Sequence, residues 1–191
     1  MTLRLAFVPG ATPDKWARAW RDRSREPLEL VPIEQDEQRE VLLDGRADMV
    51  LARLPMDTED LYCIPLYEEL PVVVLSKEHA GAAYDELTTA DLVDEQFALG
   101  VPEGVSSAVE QLPFPEMSVK DAVEVAASGT AVVVLPMSVA RLYHRKDVAS
   151  VVVTDLPTTR MALAWRKDAD DDRTQAFVGI VRGRTSRSSR G

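Results

Sequence analysis

Residues 41–55, VLLDGRADMVLARLP, constrain the fold more than any other stretch of the chain. Val41 and Leu42 end an amphipathic helix, Gly45 supplies a flexible stop, and the chain then enters the apolar run Met49 to Ala52. A helix feeding a buried strand is the repeating step of a layered α/β protein. The strand closes on Arg53-Leu54-Pro55, so a guanidinium is delivered to its carboxyl end. In open α/β sheets that edge is where ligands bind.

The remainder of the chain repeats the pattern. Leu3 to Val8 is a short apolar run broken by Pro9-Gly10, after which Thr12 is expected to cap a helix with Pro13 at its first position. Trp16, Ala19 and Trp20 follow at helical spacing, and the tryptophans read as the buried face of that helix. Leu28 to Ile33 is the next strand, and Pro32, which has no N–H to donate, makes it an edge. A helix over 36–44 and a strand over 48–53 complete the opening. The alternation predicts a mostly parallel sheet.

Farther on, YCIPLYEELPVVVLSKEH holds two apolar segments, Ile64 to Leu66 and Val72 to Leu75. Thr88 caps a short helix, TTADLV, and Phe97 to Val101 reads as a strand running into Pro102-Glu103-Gly104-Val105-Ser106-Ser107. That turn is expected to open a helix whose free N–H groups and serine hydroxyls suit a small anion. Gly104-Val105-Ser106 also begins a nucleophile-elbow pattern, but Ala108 replaces its last glycine, so a hydrolase is not supported. In SVKDAVEVAASGTAVVVLPMSVARLY, Ser118 and Asp121 start a helix with Ala122, Val125 and Ala126 on one face, and Gly129 ends it before the strand Ala131 to Leu135. Thr159 to Lys167 is a further strand. Asp170, Asp171 and Asp172 start a last helix with Phe177, Ile180 and Val181 on its apolar face, and this placement explains the triplet without a metal.

Composition bounds the class. With 191 residues, 46% of them apolar, and no apolar run near the roughly 20 residues of a membrane span, the chain is expected to be globular, with no membrane contact. MTLRLAF lacks the features of a secretory signal, and Cys63, the sole cysteine, permits neither an internal disulfide nor a four-cysteine zinc site. A cytoplasmic location follows as the expectation. Net charge is -10, yet the last ten residues hold Arg182, Arg184, Arg187 and Arg190 and no acid, so residues 1–181 carry -14. So acidic a body repels nucleic acid, and direct nucleic-acid binding by this chain is not expected. Residues 183–191 read as a basic, disordered tail.

Taken in order, these signals resemble the effector-binding domain of the LysR-type transcriptional regulators. The resemblance is carried by Leu42-x-x-Gly45-x-x-Asp48 before an apolar strand, by the two segments ending in Lys77-Glu78-His79, and by the run from Ser118 to Tyr143. It extends from Leu3 to about Arg182. This chain departs from the usual pattern at Ala80-Gly81, where relatives have Pro-Leu, and at Thr130-Ala131, where they have a second glycine. The resemblance implies a type 2 periplasmic-binding-protein fold: two Rossmann-like α/β lobes with mixed, mostly parallel sheets, joined by two crossing strands around a ligand cleft. Lobe one would comprise 1–70 and 160–182, lobe two 71–159. No helix-turn-helix precedes the first strand, so the chain is expected to be either part of a longer regulator or a stand-alone effector domain.

The implied site comprises Gly10, Ala11 and Thr12 at one helix start, Arg53 and Leu54 at a strand end, Val105 and Ser106 at a second helix start, and Gly129 and Thr130 at a turn. Arginine offers a planar fork to a carboxylate or phosphate, and hydroxyls orient the ligand without acid–base chemistry. Two alternatives stay open: Arg53 could instead pair with a neighbouring acid, and Thr130 could instead cap its own turn. His79 and His144 have no catalytic partner motif, and His79 reads as a structural loop residue. No cofactor or metal is implied. The leading function is an effector sensor for a small carboxylate or other anion, acting as a homodimer. The alternatives are an interaction protein that pairs with a full-length regulator without ligand, and, least supported, an enzyme on the same fold.

Overall fold

A computed structural model describes residues 1–183. The chain divides into two compact units, residues 1–67 with 160 onward, and residues 68–159. The expected basic tail lies outside the described residues beyond Gly183.

The first unit is built on a five-stranded sheet in the order β2-β1-β3-β9-β4, where β1 is Leu3–Phe7, β2 Leu28–Pro32, β3 Met49–Arg53, β4 Leu61–Glu69 and β9 Thr159–Arg166. β2 is an edge, as Pro32 requires, and it runs parallel to β1. β1 is also parallel to β3, but β3 pairs antiparallel with the returning β9, Arg53 opposite Met161. All five residues of β3 are buried, because a central strand is covered on both faces. Helix α1, Asp14–Arg23, buries Trp16, Ala17 and Trp20, and the Trp20 indole meets Phe177 of helix α5, Asp172–Val181, at 5.8 Å between ring centroids.

The second unit carries a four-stranded sheet in the order β6-β8-β5-β7, with β5 Pro71–Ser76, β6 Glu86–Leu87, β7 Val133–Pro136 and β8 Val148–Val153. β5 is antiparallel to both β7 and β8, and β6 is parallel to β8. Parallel pairing therefore dominates only around β1, and the sheets are more evenly mixed than the alternation suggests. Helix α3, Val119–Ala127, packs Ala122, Val123 and Ala126 against β5, while Val125 is only partly covered. Helix α4, Met137–Leu142, follows β7 directly.

Several local expectations are corrected. The helix over 36–44 splits into a tight three-residue turn of 3-10 helix, Gln35–Glu37, and a short helix α2, Glu40–Leu43. A 3-10 turn eclipses side chains at i and i+3, and it brings Gln35 and Gln38 to Arg53. Pro13, in helical conformation at φ -73°, takes the cap position of α1, leaving Thr12 one residue outside. The strand over 97–101 shrinks to a single bridge, Phe97 to Val132, before the chain turns. No helix opens at Ser106: the chain stays irregular to Ser118, and Pro113 and Pro115, each without an N–H, interrupt any helix there. Ser118 does cap α3, accepting from Asp121 N at 3.2 Å, and Asp171 caps α5.

Candidate functional site

The carboxyl ends of the parallel strands β1 and β3 meet at Arg53. Its backbone is clamped by one side chain: the Gln38 amide accepts from Arg53 N at 3.0 Å and donates to Arg53 O at 2.9 Å. Its guanidinium donates to Gln35 Oε1 at 2.8 Å and to the Pro9 carbonyl at 3.1 Å, tying the end of β3 to the turn after β1. Only 3% of Arg53 is exposed, and Gln38 is buried with it. Acceptors around a buried arginine meet the rule that buried polar groups find partners. The glutamines were not among the residues singled out from sequence; the one hint is that Gln35 and Gln38 share an i, i+3 relation ahead of an apolar pair.

Around this centre, Gly10 adopts φ +84°, the left-handed conformation that glycine enters most cheaply, and Ala11 N closes the turn onto Val8 O at 3.1 Å. Ala11 is buried and Thr12 exposed at the approach to α1. Leu54 N donates to Arg160 O at 2.8 Å, fixing the chain as it leaves β3. The structure thus gathers Gly10, Ala11, Arg53 and Leu54 at one edge of the first unit's sheet. Thr12 adjoins that edge without the capping role expected of it.

The second unit treats its four candidates differently. Val105 packs in an apolar cluster with Leu92, Phe97 and Leu156, which makes it a core residue. Ser106 is exposed in an irregular loop, and the neighbouring Ser107 hydroxyl is used internally, donating to Val109 O at 2.9 Å and accepting from Gln111 Nε2 at 2.8 Å. Gly129, φ +77°, stops α3 as the spacing predicts. Thr130 is exposed and its hydroxyl lies 2.9 Å from Ser128 Oγ, which donates to Val125 O at 2.6 Å. In this state Thr130 completes its own turn.

The remaining singled-out groups are structural. His79 Nδ1 accepts from Gly81 N at 3.0 Å, which assigns the proton to Nε2, 2.9 Å from Glu95 Oε1. Cys63 is half-buried, and desolvation pushes its thiol pKa up, the opposite of what a nucleophile needs. Among the described residues no cluster of His, Cys, Asp or Glu suits a metal ion, and no helix is long and apolar enough to cross a membrane.

Two mixed α/β units traversed twice by the chain define a type 2 periplasmic-binding-protein architecture. Solved relatives share it: the BenM effector-binding domain with its effector benzoate superposes with a TM-score of 0.76 at 20% identity, covering 97% of this chain and 95% of that one. A full-length OxyR variant from Pseudomonas aeruginosa gives 0.70 at 20% identity, over 95% of this chain and 73% of the other. The family model for the LysR substrate binding domain matches residues 2–186, and the chain belongs to that family, the effector-binding part of LysR-type transcriptional regulators. Among curated proteins, the Hca operon transcriptional activator HcaR of Escherichia coli (strain K12) is 26% identical over 95% of this chain and 67% of its own length. The relative is thus a transcriptional activator, about a third of which has no counterpart here.

Proposed function

We propose that the chain binds a small anionic metabolite, a carboxylate first among candidates, and that binding regulates transcription through a conformational change. The observation that carries this is Arg53: a buried guanidinium at the carboxyl ends of β1 and β3, its fork braced by carbonyl oxygens of Gln35 and Pro9. The planar donors of a guanidinium match a carboxylate. Gly10, Ala11, Thr12 and Leu54 are the proposed contacts beside it. Val105, Ser106, Gly129 and Thr130 remain candidate contacts on the second unit, Val105 the weakest because it is core. That a fold relative was solved with benzoate supports the carboxylate class.

Any effector acts only by binding one conformation better than another, and such couplings are typically about 1–3 kcal/mol. The proposal places the protein in the cytoplasm as a homodimer; elution as a monomer at micromolar concentration would count against the dimer. The primary test is a thermal-shift screen against carboxylates, aromatic acids and phosphorylated metabolites. A ligand at about 100 times its dissociation constant adds roughly 2.7 kcal/mol to the native state, an easily read shift. Arg53→Ala, checked for folding by its own melting curve, should weaken the active class more than about tenfold, or about 1.4 kcal/mol. Unchanged affinity removes Arg53 from the site.

A further inference from the structure

Away from Arg53, the first unit holds a cavity of about 350 Å³ at its other sheet edge, walled by β4, β9 and α5. Its aromatic wall is the Tyr62–Trp165 pair, ring centroids 5.4 Å apart and tilted 42°. Tyr62 is 43% exposed although it lies on a strand next to a tryptophan. The opposite wall is polar and carries both signs of charge.

The negative group is Asp170. Its Oδ1 accepts three hydrogen bonds, from Trp165 Nε1 at 2.9 Å, Thr174 Oγ1 at 2.9 Å and Gln175 Nε2 at 2.7 Å. Those donors, Gln175 foremost, hold its pKa below the usual carboxylate value, so it is anionic at neutral pH. All three converge on one oxygen, which fixes the carboxylate plane and leaves Oδ2 with no hydrogen-bond partner among the described residues. The positive group is Arg182, exposed at the carboxyl end of α5 and lining the same cavity.

We infer that this cavity is a second binding site, distinct from Arg53, for a small zwitterion with an apolar or aromatic body, of which an α-amino acid is the simplest example. Asp170 Oδ2 takes the ammonium, Arg182 takes the carboxylate, and the body lies against Tyr62 and Trp165. Each part follows from chemistry already in place: a preorganised carboxylate beside two π faces favours an ammonium, and a guanidinium fork favours a carboxylate. The volume lies within the range of small-molecule sites. Either charge alone would be poorly matched, because the ligand would leave the opposite wall unanswered.

The test is isothermal titration of the whole chain with L-phenylalanine, phenethylamine and 3-phenylpropanoate. Phenylalanine should bind saturably and at least about tenfold tighter than either singly charged analogue, a difference of about 1.4 kcal/mol. Arg182→Gln, at an exposed position that should not disturb folding, and Asp170→Asn, checked by its melting curve, should each weaken phenylalanine tenfold or more. Tyr62→Ala should weaken it as well. No saturable phenylalanine binding overturns the assignment, and so does binding that Arg182→Gln and Asp170→Asn leave unchanged, since the amino acid would then occupy another site.

Discussion

At the scale of single residues, the clamp on Arg53 is the most consequential arrangement in the first unit. Gln38 satisfies both backbone groups of Arg53 in a buried place, so no water replaces it cheaply when it is removed. Gln38→Ala should therefore lower unfolding free energy by about 1–3 kcal/mol, the cost of leaving a buried polar group unsatisfied. Urea denaturation reads this directly, and a midpoint equal to the parent protein's would show that the clamp is dispensable. The same change frees the end of β3, so effector affinity should fall with it.

At the scale of elements, two glycines near helix residues predict opposite signs. Gly129 ends α3 at φ +77°, and an added Cβ would meet only Ser76 Cβ at 4.0 Å, an ordinary contact. The cost of Gly129→Ala is then backbone strain alone, about 1–2 kcal/mol. Gly179 lies inside α5 with nothing within 4 Å of an added Cβ, so Gly179→Ala should stabilise by roughly 0.5–1 kcal/mol through helix propensity. Paired thermal melts check both; two shifts of the same sign would contradict the argument. Gly129 was legible in the sequence because a helix stop is a local event, and so were the edge position of β2, the cap at Ser118 and the helix start within Asp170, Asp171 and Asp172. Legibility ended where distant residues decide. Nothing near Arg53 in sequence reveals that Gln35 and Gln38, fifteen to eighteen positions earlier, will hold it. The helix expected at Ser106 is absent for a different reason: Pro113 and Pro115 follow within ten residues and remove donors a helix would need. Tyr62 and Trp165 stand on different strands, so periodicity within either gives no sign of their pairing.

At the scale of the whole molecule, two electrostatic effects oppose each other as pH falls. The formal charge of -10 with a pI near 4.7 means that protonating ordinary carboxylates from pH 7 towards 5 relieves self-repulsion, which favours the compact state. Against this stand carboxylates held below their usual pKa by arginines: Asp147 by Arg145, down to about 2, Asp44 by Arg46, and Asp168 by Arg166. For such groups the folded chain binds fewer protons than the unfolded chain between the two pKa values. Their contribution is therefore complete above the unfolded pKa, 3.8 for Asp147, and lost as pH drops through the folded value near 2. These pairs are exposed, and each contributes little. Below the pI the net charge turns positive as the remaining carboxylates are protonated, so self-repulsion returns with the opposite sign, and the small loss of each pair adds to it. Melting temperature at low salt should rise modestly from pH 7 to about 5 and fall steeply between about 4 and 2. Raising salt to about 0.1 M, where the Debye length is about 10 Å, should flatten the upper limb first, because repulsion acts over longer distances than a contact pair. A melting temperature that instead falls steadily from pH 7, at both salt concentrations, would mean that self-repulsion is not a governing force in this acidic protein.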